Sequence, residues 1–338
     1  MPHRLLSGLC ALLALILAIP ACAQGETFDA YLQQVAAKAR AEGVSESTIA
    51  SMLGGLTPND RVMALDRDNL SGGPSAGFPP LAPYIADHNT AARINGGRRV
   101  YAQLGSLAAQ VEARYGVPAP VLIAIWGHET SYGAVRGNFD LARSLATLAW
   151  EGRRRELFER ELIDLLKIAD TGVPRSTLVG SWAGAFGNPQ FLPSVYLRAA
   201  VDGDGDGDRD IWNSEADTLH SIANYFRNAG WRRGEPWAVR AFTPNSLDRA
   251  AIQTRMVAPV CPRVHVRHSR WMTVREWREL GVIPQGSIAD DTMASLFEPD
   301  GPSAPSYLLT NNYRVILEYN CSNYYAMSVG LLADEIAR

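Results

Sequence analysis

Charge is scarce in this 338-residue chain: Asp, Glu, Lys and Arg make up 20% of it, and the formal net charge is −3. So thin a balance leaves no basic field for a phosphate backbone, which excludes nucleic acid as a partner. A sugar polymer is not excluded, because glycans are held by hydrogen bonds and aromatic faces. The six histidines, at positions 3, 88, 128, 220, 265 and 268, contain no H-x-x-x-H pair. His265 and His268 also lack a partner Glu at helical spacing, which argues against a metal hydrolase. No G-x-S-x-G elbow and no Gly-rich phosphate loop of the Walker or dinucleotide type occurs. Past the amino-terminal stretch, no run approaches the roughly 20 apolar residues that a membrane span requires. Four cysteines are present, and Cys10 and Cys22 belong to that first stretch.

Residues 1–23 read as an export signal: Arg4, an apolar run from Leu5 to Ile19, and an A-x-A cleavage site at Ala21-Cys22-Ala23. The alternative makes Cys22 a lipidated amino terminus anchored to the outer membrane. Ile19-Pro20-Ala21-Cys22 loosely resembles a lipobox, in which Pro20 is an awkward residue. Export places Cys261 and Cys321 in an oxidising compartment, where an even pair reads as a disulfide and two unpaired buried thiols are the alternative. With 47% hydrophobic residues the chain can bury one large core, or a core with satellite lobes.

The organising stretch is VPAPVLIAIWGHETSYG, from Val117 to Gly133. Pro118 and Pro120 suit the mouth of a helix. Leu122, Ile125 and Glu129 then fall at i, i+3 and i+7, which sets Glu129 on an apolar stripe. A carboxyl held against apolar neighbours is costly to ionise, so its pKa is expected to rise, as a general acid near neutral pH requires. Gly127 and Gly133 are expected to leave room for a ligand. The bland alternative is a helix-end Glu paired with an Arg or capped by backbone.

Ahead of this stretch, residues 28–64 are helical in period, with Phe28, Tyr31, Leu32, Val35 and Ala39 as one stripe and Ser45 or Ser47 capping a second helix. Residues 70–83 are rich in Gly, Ser and Pro and read as a linker or surface loop; helix resumes near Tyr84 and runs with breaks to Tyr115. Beyond it, helices are expected at 142–150 and 157–168, with Arg153, Arg154 and Arg155 between them as a solvated face or as holders of an anionic substrate group. GSWAGAFGNPQFLPSVY, from Gly180, is too rich in Gly and Pro for a smooth helix and carries Ser181, Gln190 and Tyr196 as polar and aromatic handles. A helix at 218–229 ends at Gly230. Residues 239–268 shift to short alternating runs that suggest a β-rich lobe with a short helix at 273–280. Residues 313–319 read as a buried strand or a helix start, and 326–337 as an apolar closing helix.

Asp202, Asp204, Asp206 and Asp208 alternate with glycines, and Gly207 takes the sixth position, as in an EF-hand calcium loop. The twelfth position is Asn213 rather than Glu, so the closing carboxylate is expected from Asp217 or Glu215. Without a cation, an acidic run ending in Asp210 repels itself; the alternative is an empty loop. A calcium ion there would staple the loop, and nothing suggests that it does chemistry. One isolated acid in an aromatic-rich exported chain, with Ser, Gln, Asn and Tyr on surrounding turns, points to cleavage of a glycosidic bond.

The segment around Glu129, the GSWAGAFGNPQFLPS block, the acidic loop ending in Trp212, the SIANYF helix and the closing YNCSNYYAMSVGLLA together resemble the lytic murein transglycosylases of the membrane-bound lytic transglycosylase B family, over about residues 28–338. The resemblance implies an α+β, mainly α fold. It places an α-rich N-terminal lobe at 24–100 and a lysozyme-like catalytic core at 101–237 with the EF-hand-like loop at 202–217. A small β-rich lobe at 238–310 and a segment at 311–338 that returns to the core complete it. It implies cleavage of the MurNAc–GlcNAc β-1,4 bond of peptidoglycan without water. Glu129 matches the sole acid of the motif G-x-E-T-x-x-G. Ser181 and Gln190 match cleft-lining groups, Tyr225 the aromatic of the ANYF helix, and Tyr319, Asn320 and Tyr325 the YN-x-S-x-x-Y block. Tyr84 and Arg154 align as further sugar or peptide contacts. Pro189 and Leu192 depart from the usual Gly and Met. Asp202, Asp204, Asp206, Asp208 and Asp217 correspond to a structural calcium site, and no organic cofactor is implied. The expected partner is a peptidoglycan strand, with cell-wall synthesis or division complexes as candidate protein partners, and the expected state is a periplasmic monomer. A hydrolytic muramidase on the same fold and a non-catalytic glycan-binding protein are the rival readings.

Overall fold

The computed structural model describes residues 26–71, 80–254, 258 and 260–338. The expected export signal, with Cys10 and Cys22, lies outside the described residues, as does most of the Gly/Ser/Pro-rich stretch. The chain begins with α1 (Phe28–Ala41), α2 (Glu46–Leu53) and α3 (Asp60–Ser71). The whole expected stripe of α1 is buried, and Ala36 joins it. Ser45 caps α2, its hydroxyl accepting the amide of Thr48. Helix α4 (Leu81–His88) starts at Leu81 rather than Tyr84, directly after Pro80, and Pro83 is tolerated in its first turn. Helix α5 (Ala91–Tyr115) is broken at Gly105 (φ 44°) and closes on Gly116 in the left-handed region.

Helix α6 (Ala119–Thr130) is the axis of the molecule. Every residue from Ala119 to Gly127 is buried, so the helix is apolar on all sides and is walled in by its neighbours. The stripe expected from Leu122 and Ile125 is therefore not a face of an amphipathic helix. Glu129 stands out because it sits in the last turn, where the helix emerges from its packing.

Strands β1 (Phe139–Asp140) and β2 (Val179–Gly180) pair antiparallel and bracket α7 (Leu141–Glu151) and α8 (Arg155–Asp170). Short α9 (Pro193–Ala199) follows, then α10 (Glu215–Asn228), with Ser214 as its cap. The sheet lobe contains β3 (Ala238–Phe242), α11 (Pro262–His265), β4 (Met272–Thr273), α12 (Val274–Glu279), β5 (Ile283–Pro284), β6 (Met293–Phe297) and β7 (Ser306–Leu309). Its strands are antiparallel in the order β4-β6-β7-β3-β5, with Val239 and Leu296 both opposite Leu308. Helix α12 has a capping box between Thr273 and Glu276, and it buries Trp277, whose indole donates to the Ala294 carbonyl at 2.9 Å. Residues 313–319 resolve as helix: α13 (Asn311–Asn320), capped by Thr310, is followed by α14 (Asn323–Ile336), capped by Ser322.

Three hydrophobic clusters hold these elements together, and they do not follow chain order. One joins α1 to α3 with α7, α8 and α9. A second joins α5, α6, α10, α13 and α14. The third is the inside of the sheet lobe. The chain is thus α+β and mainly α. A disulfide joins Cys261 to Cys321 across 60 residues and ties the sheet lobe to the turn between α13 and α14. Closing a loop of that length stabilises by roughly 4 kcal/mol on the chain-entropy account.

Candidate active site

Past Thr130 the chain leaves α6 through Ser131, Tyr132 and Gly133, all in the left-handed region (φ 50°, 61° and 87°). This reversal tucks the Tyr132 ring under α6. A Cβ on Gly127 would lie 2.6 Å from that ring, and one on Gly96 2.8 Å from it. The Tyr132 hydroxyl donates to the Arg93 carbonyl at 2.7 Å. Gly127 therefore serves close packing of α5, α6 and Tyr132 instead of opening space for a ligand, and Gly133 faces the Asn188 side chain. On the other side of the helix end, buried Thr130 donates to the Asn188 carbonyl at 3.1 Å, and Asn188 Nδ2 donates to Thr218 at 3.1 Å.

Glu129 is left partly buried at this point, and α14 brings a partner to it. The Tyr325 hydroxyl donates to Glu129 Oε1 at 2.6 Å. Tyr325 takes its register from the α14 cap, its amide donating to Ser322 Oγ. Burial pushes the Glu129 carboxyl up from 4.5 to about 7, and the Tyr325 hydrogen bond, which favours the ionised form, works against that rise. Among the described residues Glu129 forms no salt bridge with an Arg, so the helix-end ion pair is not what these residues show.

Tyrosines surround the acid. The Tyr319 ring of α13 lies parallel to Tyr325 with centroids 6.5 Å apart, and its hydroxyl donates to the Pro189 carbonyl at 2.6 Å. Tyr225 of α10 meets Tyr319 edge-on at 5.0 Å. Burial holds both Tyr319 and Tyr325 well above the usual tyrosine range, with the Glu129 charge adding to it, so both remain hydrogen-bond donors. Tyr84 of α4 also feels Glu129, after burial and the opposing Arg93; its ring stacks on His88 at 3.8 Å. The loop before α9 folds on itself: Phe186 and Phe191 pair, Ser181 Oγ accepts the Ala185 amide at 3.0 Å, and Gln190 (φ 50°) donates to the Gly187 carbonyl at 3.0 Å. The Pro189–Tyr319 bond seats that loop against the tyrosines. Asn320 is exposed at the end of α13.

Arg154 is engaged elsewhere. It and Arg153 both pair with Asp66, which is 2% exposed on α3, and the Arg154 guanidinium lies 4.6 Å from the Phe158 ring. Arg155 pairs with Glu26 at 2.9 Å and covers Tyr31. The arginine run pairs within the chain and pins α1 and α3 to the start of α8, because a buried carboxylate demands paired donors.

His128, the neighbour of Glu129, turns its ring toward α14, 5.7 Å from that of Tyr325. Its Nε2 meets Ser328 Oγ at 3.1 Å. Asn89, Ser328, Thr130 and Asn188 were invisible as site residues, since their partners lie far away along the chain.

The acidic loop draws three carboxylates together. Oxygens of Asp202, Asp204 and Asp217 lie within 4.8 Å of one another. Asp217 is wholly buried and accepts the amides of Gly203 and Asp210, both at 2.6 Å. Burial, with Asp204 and Asp202 beside it, pushes its titration up. Asp206 and Asp208 stand exposed outside this group, Glu215 is also exposed, and Asn213 caps Asp210. Three hard oxygen donors, one of them buried, fit a calcium ion, which would relieve their repulsion.

A helical, lysozyme-like core with an added antiparallel sheet and one acid set among tyrosines defines the class of α+β protein to which the chain belongs. Within that class, the chain belongs to the Transglycosylase SLT domain family, whose model matches residues 27–334. It is 34% identical over 227 residues to the membrane-bound lytic murein transglycosylase B of Escherichia coli K12, a match that covers 66% of this chain and 58% of that relative. Among solved structures, SltB3 of Pseudomonas aeruginosa in complex with NAG-anhNAM-pentapeptide superposes with a TM-score of 0.82 at 36% identity, covering 93% of this chain and 80% of that one. The Escherichia coli lytic transglycosylase Slt35 in complex with calcium superposes with a TM-score of 0.73 at 29% identity, covering 91% and 92%.

Proposed function

We propose that the chain is a lytic transglycosylase that cleaves the MurNAc–GlcNAc β-1,4 bond of peptidoglycan and leaves 1,6-anhydro-MurNAc ends. The observation that carries this reading is Glu129: a partly buried acid, titrating at about 7, with a tyrosine donor and no second carboxylate among the groups that shift it. A two-carboxylate glycosidase would set a second acid beside it as nucleophile or as base for water. The relatives' names and the anhydro-sugar complex of SltB3 support the same conclusion.

Protonated Glu129 gives its proton to the glycosidic oxygen as the bond to C1 breaks, and GlcNAc leaves with a hydroxyl. The positive charge at C1 is steadied by the N-acetyl group and by the oxygen lone pairs of neutral polar residues such as Ser181 and Gln190. Glu129, now a carboxylate steadied by Tyr325, takes the proton from the C6 hydroxyl while O6 bonds to C1. Atoms balance with no water consumed. Acid–base assistance of this kind contributes roughly 10²- to 10⁴-fold, and attack by a hydroxyl already in place supplies much of the rest. Tyr225, Tyr319, Asn320 and Tyr84 serve as glycan contacts. Arg154 is left out because Asp66 holds it.

Asp202, Asp204 and Asp217 would hold a calcium ion, with Asp206 and Asp208 at its rim; its positive charge would keep the loop folded. On this reading the protein acts in the periplasm as a monomer on peptidoglycan strands, with cell-wall synthesis or division complexes as candidate partners. The lobes on this reading run 24–100, 101–237, 238–310 and 311–338, the first sharing the core of α7 to α9 through α1 to α3 and the last returning to the core through α14. Digestion in ¹⁸O-enriched water tests the reaction: MurNAc ends free of heavy oxygen are expected, and labelled reducing ends would make the protein a hydrolase.

A further inference from the structure

We infer that His128, Ser328 and Asn89 form a positioning cluster that sets Glu129 against Tyr325 and Tyr84, with His128 serving as a neutral Nε2–H donor; this rests on reading Glu129 as the reacting acid. The hydrogen bonds fix the direction of donation. Asn89 Nδ2 donates to the Ser328 carbonyl at 2.9 Å, so its Oδ1 is the atom 2.7 Å from the Ser328 hydroxyl. An amide oxygen carries no proton, so Ser328 donates to it. The hydroxyl then has only lone pairs left for His128 Nε2 at 3.1 Å, and the imidazole must supply that proton.

The three residues lie on or cap three of the helices around the acid. His128 precedes Glu129 on α6, Ser328 sits one turn past Tyr325 on α14, and Asn89 ends α4, which carries Tyr84. Ser328 is wholly buried, and the His128 ring lies 5.7 Å from the Tyr325 ring. Burial, then Arg93, with His88 a lesser cause, holds His128 down at about 3, so it stays neutral wherever the enzyme works. That neutrality has a chemical consequence: an imidazolium next to Glu129 would depress the acid's pKa and leave it ionised at neutral pH. Among the described residues, the titratable groups that feel Glu129 are Tyr325, Tyr319 and Tyr84, and none of them brings a cation.

The test uses the whole chain, with ¹⁵N-labelled imidazoles and ¹³C-labelled carboxyls followed by NMR. His128 is expected to remain an Nε2–H tautomer from about pH 5 to 8. In Ser328→Ala, the Glu129 midpoint is expected to move up toward that of Tyr325→Phe. Turnover is expected to fall roughly ten- to hundredfold with little change in KM. His128→Gln, which keeps a donor, should recover most of what His128→Leu loses. An Nδ1–H tautomer, or a His128 that titrates in that range, would overturn the inference. So would an unchanged Glu129 midpoint in Ser328→Ala and in Asn89→Ala, the latter covering the case in which the buried variant does not fold. These spectra need no substrate, so failure to cleave peptidoglycan would count against the proposed function alone.

Discussion

At Glu129 two effects oppose each other: burial disfavours the carboxylate, and the Tyr325 hydroxyl stabilises it. Burial wins, and the balance yields two predictions of definite sign. Tyr325→Phe removes only the stabilising partner, so the Glu129 pKa should climb further. A hydrogen bond to a charged group is worth about 1.5–3 kcal/mol, which is roughly one to two pH units. Because the reaction needs the protonated acid, the upper limb of the pH–rate profile should move to higher pH while the maximal rate falls; an upper limb that moves down would contradict the geometry. The second prediction concerns stability. The folded-state pKa, about 7, lies above the unfolded value of 4.5. Glu129 therefore weakens the fold progressively as pH rises from 4.5 to 7, by at most about 3 kcal/mol above that range. Glu129→Gln should raise the melting temperature at pH 8 and leave it nearly unchanged at pH 4. Equal shifts at both would mean that the carboxyl is not raised.

Among the elements, the acidic loop and α10 depend on each other. Asp217 occupies the first turn of α10, where a carboxylate suits the helix dipole, yet it is buried facing Asp202 and Asp204. A cation that binds only the folded loop stabilises by mass action, about 2.7 kcal/mol at a hundredfold excess over its Kd. Calcium should therefore raise the melting temperature relative to a chelator, and Asp217→Asn should abolish most of that shift. No difference between chelator and millimolar calcium would remove the metal from the account. The α6 terminus shows why local periodicity misleads at a site. Spacing sets Leu122 and Ile125 on one face, but the neighbouring helices bury α6 on every side up to Gly127, and only the end of the helix is available for chemistry.

Across the whole molecule, what was legible in the sequence is what is local. The capped helices, the Asp-Gly alternation and the helix that carries Glu129 are each written in a short window, whereas the runs at 239–268 mark only β3 of the sheet, whose other strands lie beyond them. What was hidden depends on distant pairing. Asp66 carries no signal that would mark it as the partner of Arg153 and Arg154, so an inter-helix clamp looked like a substrate contact. His128 could not be joined to Ser328 and Asn89 before α4, α6 and α14 were packed. Likewise, α1 to α3 share a core with α7 to α9 and not with the helices that follow them in sequence. The most direct test of the central claim is mass spectrometry of the soluble products when purified peptidoglycan is digested by the mature protein and by Glu129→Gln. Fragments lighter by one water than hydrolysis products, released by the native protein and absent with the variant, are predicted. Reducing-end fragments from the native protein, or anhydro fragments from both, would contradict the account.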